Sequence, residues 1–430
     1  MHGERTPLII SNPSVLTRRG YQQLHSQGAV FRSRYLVRSD DDEDDGHDGD
    51  FAPIVDLDSE SINTSHLKVA SSGDRDIAEG ALAFMQGLYP PLTQASCHGT
   101  RNVQGPRDES CCDLEQPSCE QYYPIRIVSD CLDPDSIWVH GDKRCNKHAE
   151  LQLQFEDDHD VVSLQQDHKP LYSSLWDRVF YDAFPRSRTN FQNAYSLYEY
   201  AAFRWRHGDE AQTVMTPEEL VKLRLLASAE QRLRHANLSA FSGDGVHAIA
   251  GRTLAAKVSD LFTNHINSYG KRNKLNLVFT SHEPFLAFFA LAGPRSEASD
   301  QLFEQLPYHG ASMVFELFSK DAGRNVTGYP SADDLYVRFL YRNSADPSAC
   351  HEAYPIFGAP DACVPFRQFN ATMSSIGIAD AAEWCRVCEN GNSCFCAPPH
   401  KKKKFLLINL LSAGAVLLII LLLVILLVFA

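Results

Sequence analysis

The chain has 430 residues, with 40 lysines and arginines against 54 aspartates and glutamates, so its formal net charge is −14. This acidic balance is not that of a nucleic-acid-binding protein. A hydrophobic content of 44% with 10% aromatic residues excludes wholesale disorder and a collagen-like fibre, and the length predicts two or three structural units.

The first predicted elements are two helices with a strand between them. A helix capped by Thr17 is predicted over Leu16–Tyr35, because apolar residues recur there at three- and four-residue spacing. The acidic run Asp40–Asp50 follows and is interpreted as a solvated loop; as a calcium site it would lack the EF-hand spacing. A short strand over His66–Ser71 and a helix over Asp76–Leu88 come next.

The middle of the chain is predicted to be helical after an irregular, cysteine-rich stretch at residues 93–147. One helix covers Asn193–Trp205, and another begins at Thr216-Pro217-Glu218-Glu219, a capping box with proline at the first helical position. A helix over Ala248–Ile266 then leads into three strands of one predicted sheet: Leu275–Thr280, Met313–Phe318 and Leu335–Tyr341. Strands and helices at both ends, with a helical block between them, predict an α/β fold with an inserted cap.

Twelve cysteines and four N-x-S/T sequons indicate an oxidising, glycosylating compartment. A C-terminal cysteine group contains a CxxC that would suit zinc, but disulfides are favoured in an exported chain; a bridge between Cys350 and Cys363 is also predicted. The sequons are at Asn63, Asn237, Asn325 and Asn370, and the C-terminal group is Cys385, Cys388, Cys394 and Cys396.

The last segment, Phe405–Ala430, is almost entirely apolar and follows Lys401–Lys404. As a helix it is long enough to cross a bilayer core of about 30 Å. It is therefore interpreted as a transmembrane helix or a removable lipid-anchor signal. The four lysines would favour a tail-anchored protein with a cytosolic domain, but the cysteines and sequons lead us to expect a membrane protein whose main domain is extracellular or lumenal.

Three short segments carry residues suited to chemistry. His2-Gly3-Glu4-Arg5-Thr6-Pro7 places a histidine and an arginine three residues apart, beside a glycine that lets an anion approach the backbone. Ser71-Ser72-Gly73-Asp74-Arg75 places a second arginine just after a strand, and the strand from Leu275 ends in His282-Glu283. Enzymes of the α/β class gather their sites at such strand ends.

These segments resemble the histidine acid phosphatase family, branch 2 of the histidine phosphatase superfamily, whose signature is RHGxRxP with a His-Asp or His-Glu pair downstream. The likeness covers most of residues 1–396, looks most like fungal members, and includes GDRDIAEGALAFMQGLYPP and FTSHEPFLAFFALAG. It implies a phosphoglycerate-mutase-like central sheet flanked by helices. The implied units are an α/β domain at 1–90 and 245–396, a cysteine-rich and helical cap at 91–244, a basic linker at 397–404 and the apolar segment at 405–430.

The resemblance implies that phosphomonoesters are hydrolysed through a phosphohistidine. His2 would be the nucleophile, and Glu283, where the family has aspartate or glutamate, would be the general acid. Arg5, Arg75 and His282 would bind the phosphate, and no metal or other cofactor is implied. The alternative is a non-catalytic, glycosylated surface or binding protein on the same fold. The physiological substrate is not encoded in any motif.

Two further histidines stand beside residues that could suggest a site, and one position departs from the family pattern. Arg206-His207-Gly208 repeats part of the signature but is interpreted as a helix end with a glycine stop. His159 lies among aspartates and is interpreted as part of a solvated loop rather than a metal patch. Met1 stands where the family has an arginine after a strand, so we expect that the sequence begins at an internal methionine of a longer protein.

Overall fold

The computed structural model describes residues 1–37, 53–91, 121–128, 132–208, 214–238, 245–296, 301–320, 328–391 and 394–397. The acidic run at 40–50, Asn325 and the apolar segment at 405–430 lie outside these ranges. Within the described ranges, no helix is both long enough and apolar enough to cross a membrane.

A parallel three-stranded sheet, in the order β2-β1-β3, forms one part of the fold. Its strands are β1 (Leu67–Ser72), β2 (Ile125–Val128) and β3 (Leu275–Phe279). Helices α1 (Arg18–Tyr35) and α2 (Arg75–Leu88) share an apolar core with this sheet. The two helices cross with their backbones in contact at Gly28 and Gly87, where a Cβ atom would collide with the other helix.

A block of four helices follows β2 in the chain: α3 (Asn146–Gln154), α4 (His159–Leu175), α5 (Ala194–His207) and α6 (Pro217–His235). Their buried apolar residues, among them Leu175, Leu197 and Leu223, form a separate core. Thr216 caps α6 with the predicted capping box, because its side chain and that of Glu219 each bind the other's backbone N–H.

An antiparallel sheet forms the C-terminal part of the fold, and β5 (Leu335–Arg342) is its central strand. The strands β4 (Ser312–Ser319), β6 (Glu352–Ala353) and β7 (Cys363–Pro365) all pair with β5. Helices α7 (Ile249–Asn267), α8 (Glu283–Ala292) and α9 (Phe366–Ile376) pack on it around Phe288, Phe339 and Phe369. A short helix, α10 (Ala381–Val387), comes last.

The strands do not form the single sheet that was predicted. Among the described strands, β3 pairs only with β1 and β4 pairs only with β5, so the two sheets are separate. β2 lies inside the predicted cap range yet pairs with β1. A strand pattern identifies an extended segment with a buried face, but it does not identify the strand edge that pairs with it.

Two disulfides tie α10 to other parts of the fold: Cys145–Cys388 and Cys385–Cys396. The predicted Cys350–Cys363 bridge is wrong, since both residues are free cysteines. Cys363 pairs with Arg338 of β5, whereas β6 begins after Cys350, at Glu352, which pairs with Tyr341. The strand between Arg338 and Tyr341 spans roughly 10 Å, more than the Cα separation that a disulfide tolerates.

Candidate active site

The first residues form a loop that is fixed against the start of α1. Thr17 donates its backbone N–H to the carbonyl of Glu4 at 3.0 Å, and its side chain caps α1 by accepting from the N–H of Gly20. Gly3 packs directly on the backbone of Gly20, where a Cβ atom would not fit. The N–H of Gly310 donates to the carbonyl of His2 at 2.8 Å. Contacts with the start of α1 and with Gly310 therefore fix the backbone at His2.

The His2 imidazole is buried, with one nitrogen bonded and the other free. Nδ1–H donates to the carbonyl of Gly3 at 2.9 Å, and Nε2 has no hydrogen-bond partner within the described ranges. Burial, followed by the positive charges of Arg5 and His309, lowers the pKa of His2 well below its usual value. His2 is thus a neutral imidazole with its lone pair on Nε2, the form that a nitrogen nucleophile requires.

Arg5 lies next to His2 and contacts the helical block. Its Nη2 donates to Glu199 Oε2 at 3.0 Å and to the hydroxyl oxygen of Tyr195 at 3.2 Å, and its Nη1 is 3.5 Å from Asp76 Oδ2. Burial would raise the pKa of Glu199, but Arg5 and His309 outweigh it and lower the pKa below its usual value. Burial raises the pKa of Asp76 despite the guanidinium beside it.

His282 and Glu283 lie where β3 ends and α8 begins. His282 Nε2–H donates to Gln231 Oε1 at 2.7 Å, and its ring lies 4.6 Å from the ring of Tyr195 between centroids. His282 Nδ1 lies 3.9 Å from Glu283 Oε2, and the Glu283 side chain is 18% exposed. Burial would raise the pKa of Glu283, but the charges of His282, His235 and His140 hold it well below its usual value.

Four of the five predicted site residues lie together. The ring of His2 lies 5.3 Å from the tilted ring of His309 between centroids, and His309 Nε2 lies 3.7 Å from Glu199 Oε1. Through Glu199, Arg5 and Tyr195 this chain of contacts continues to His282 and Glu283. The structure thus brings His2, Arg5, His282 and Glu283 to one place.

Arg75 is the predicted phosphate ligand that the structure does not bring to this site. Its side chain is 57% exposed and binds Glu79 one turn along α2 at 2.8 Å. The next residue, Asp76, is the one buried against Arg5. Successive helical residues point about 100° apart, so Arg75 faces solvent while Asp76 faces the site.

Arg206-His207-Gly208 is a helix end, as predicted, since α5 stops at His207 with Gly208 as its C-cap. The triplet also binds the N-terminal loop: Arg206 Nε and His207 Nε2 each lie 2.8 Å from the carboxylate of the buried Glu4. His159 is solvated as predicted, with a 96% exposed side chain beside Asp160, but it is the first residue of α4 and does not lie in a loop.

Sequence reasoning missed several groups that line the site, because they come from distant elements: Asp76, Tyr195, Glu199, Gln231, His235 and His309. Tyr195 and Glu199 are four residues apart and so lie on one face of α5. This spacing was the one local pattern indicating that both could bind the same polar group, here Arg5. No local pattern identified the others.

Comparison with known protein families gives a match that covers most of the chain. The family model described as histidine phosphatase superfamily (branch 2) matches residues 2–342, and the chain belongs to this superfamily. No curated protein gives a significant match.

Solved structures with a similar fold include phytases. The enzyme from Klebsiella sp ASR1 is 11% identical with a TM-score of 0.54, over 93% of this chain and 97% of its own. The one from Citrobacter braakii is 12% identical with a TM-score of 0.53, over 88% and 96%. Hafnia alvei phytase, in complex with myo-inositol hexakis sulphate, is 14% identical with a TM-score of 0.53, over 87% and 94%. At these identities the likeness shows the fold alone.

Proposed function

We propose that the protein hydrolyses phosphomonoesters through a phosphohistidine on His2. The observation that carries this proposal is the buried, unpartnered Nε2 of His2, whose other nitrogen donates to the Gly3 carbonyl. That hydrogen bond fixes the tautomer in which Nε2 carries the lone pair. Membership of a phosphatase superfamily supports the same reaction class.

In the first step, Nε2 of His2 attacks phosphorus as the bond between phosphorus and the ester oxygen breaks. The electron pair goes to the leaving oxygen, which takes a proton from Glu283, and the alcohol departs. Arg5 and His282 supply hydrogen-bond donors to the phosphate oxygens. In the second step, the Glu283 carboxylate takes a proton from water, whose oxygen attacks phosphorus. The N–P bond breaks, and inorganic phosphate and neutral His2 result.

The test is turnover of p-nitrophenyl phosphate by the purified full-length protein and by His2→Ala. We expect hydrolysis by the wild type and none by the variant, because the variant has no nucleophile. His159→Ala, at an exposed position that makes none of the site contacts described above, is the matched control and should retain wild-type rates. Turnover by His2→Ala equal to wild type would refute the proposal, and a wild type that binds phosphate without turnover would favour the non-catalytic alternative.

We also propose that the protein is exported and held at a membrane by residues 405–430. The two disulfides support an oxidising compartment. Asn63 is exposed, whereas Asn370 Oδ1 accepts a hydrogen bond from Ser259 at 2.5 Å, so Asn63 is the better glycosylation acceptor. Endoglycosidase treatment should reduce the mass of the wild type. The mass loss should be smaller by one glycan in Asn63→Gln. An unglycosylated, fully reduced protein would contradict export.

A further inference from the structure

Arg5, which the proposed reaction uses to bind phosphate, already binds two carboxylates. Glu199 approaches Nη2 at 3.0 Å and Asp76 approaches Nη1 at 3.5 Å. Both acids are well shielded from water, with side-chain exposures of 11% and 3%. Two carboxylates share one guanidinium, and His309 also faces Glu199 at 3.7 Å. This cluster therefore has no excess of positive charge at the point where an anionic substrate must bind.

Other cations on the segments around the site are paired in the same way. Lys143 Nζ binds Asp74 at 2.7 Å, and Asp74 also lies 3.6 Å from His140. Arg75 binds Glu79, and Arg206 binds Glu4. A second phosphate group on a substrate would therefore meet cations that already have carboxylate partners, and it would lie close to the carboxylates themselves.

We infer that Asp76 and Glu199 compete with the substrate phosphate for Arg5, so that the site favours esters with one phosphate on a neutral or cationic alcohol over polyphosphorylated esters. This inference rests on the proposed phosphatase function and specifies its substrate class. A single phosphate can take the free Nε of Arg5, which is buried and unpartnered in the described structure. Each further phosphate adds repulsion, because Lys143 and Arg206, on described segments around the site, already have carboxylate partners. Juxtaposed like charges are an effective way to reject a wrong ligand.

The test compares kcat and KM for O-phosphoethanolamine and inositol hexakisphosphate in wild type, Asp76→Asn and Glu199→Gln. In the wild type, we expect kcat/KM to be at least about tenfold higher for O-phosphoethanolamine. Each variant should lower KM, by roughly tenfold for the hexakisphosphate and by less for the monophosphate, with a smaller change in kcat. Glu79→Gln removes an exposed carboxylate that binds Arg75 and is the matched control, with no change in substrate preference.

A binding measurement separates this inference from the proposed function. Calorimetry with inorganic phosphate reports competition for Arg5 whether or not any ester is hydrolysed, and melting curves show whether each variant is folded. Tighter phosphate binding in the variants without turnover would refute the proposed function while supporting the competition. Unchanged phosphate affinity and unchanged preference in either folded variant, or a wild type that prefers the hexakisphosphate, would overturn the inference.

Discussion

Replacing Glu283 by Gln should separate two kinds of substrate by their leaving groups. The variant keeps the size of the side chain but removes the proton that the departing alkoxide needs. General acid catalysis is typically worth about 10²–10⁴ in rate, so kcat for an alkyl phosphate should fall by that amount. A nitrophenolate leaves without a proton, so kcat for p-nitrophenyl phosphate should fall much less.

The charges around Glu283 determine when its carboxyl carries the proton that a general acid donates. In the free protein, burial is outweighed by His282, His235 and His140, which keep its pKa well below the usual value. A bound phosphate adds negative charge next to Glu283, and negative charge raises the pKa of a carboxyl. Substrate binding therefore favours the protonated carboxyl that a general acid needs.

The assay is kcat against pH for both substrates in wild type, Glu283→Gln and the control Glu79→Gln. With the alkyl phosphate, the wild-type kcat should fall as pH rises through the pKa of Glu283 in the complex, and Glu283→Gln should lack this limb. An equal loss on both substrates would refute the reasoning, because it would mean that Glu283 shapes the site and the proton comes from another group.

Three further predictions concern stability. Glu4→Gln should lower the free energy of unfolding by about 1–3 kcal/mol, because it weakens the buried contact with Arg206; an unchanged urea midpoint would contradict this. Replacing Cys145 and Cys388 by serine opens a span of 243 residues and should cost about 2–5 kcal/mol, so an unchanged melting temperature would count against the bridge. Burial lowers the pKa of His235 from 6.5 to about 4, so between those pH values the unfolded chain binds the extra proton. Stability should therefore fall by roughly 3 kcal/mol as pH drops from 6.5 to 4, and His235→Gln should flatten this slope; a variant with the wild-type slope would refute it.

Local signals in the sequence predicted several helices and strands, though not β2, and did not show how the strands assemble. The α6 capping box at Thr216 and the α1 cap at Thr17 were identified because a cap depends on residues within one turn. The strand at Leu275 was predicted to within one residue. The pairing of β2 with β1 was not predicted, because it joins segments more than fifty residues apart and leaves no periodic signal in either.

In the site too, local contacts could be predicted from the sequence and contacts between distant segments could not. His2 and Arg5, and likewise His282 and Glu283, come from short contiguous motifs, so their proximity within each motif follows from the sequence. Glu199 reaches Arg5 from the helical block, 194 residues along the chain. Such a partner depends on how the block packs on the rest of the fold, and no spacing rule encodes that packing.

The most direct test of the account is to trap the covalent intermediate on His2. The full-length protein is mixed with a rapidly hydrolysed aryl phosphate and quenched in alkali, in which a phosphohistidine survives, and the peptides are then analysed by mass spectrometry. The account predicts a phosphoryl group on the peptide that contains His2, stable in alkali, lost in acid and absent from His2→Ala. Hydrolysis that proceeds with no phosphoryl group on His2, or with one on another residue, would contradict it.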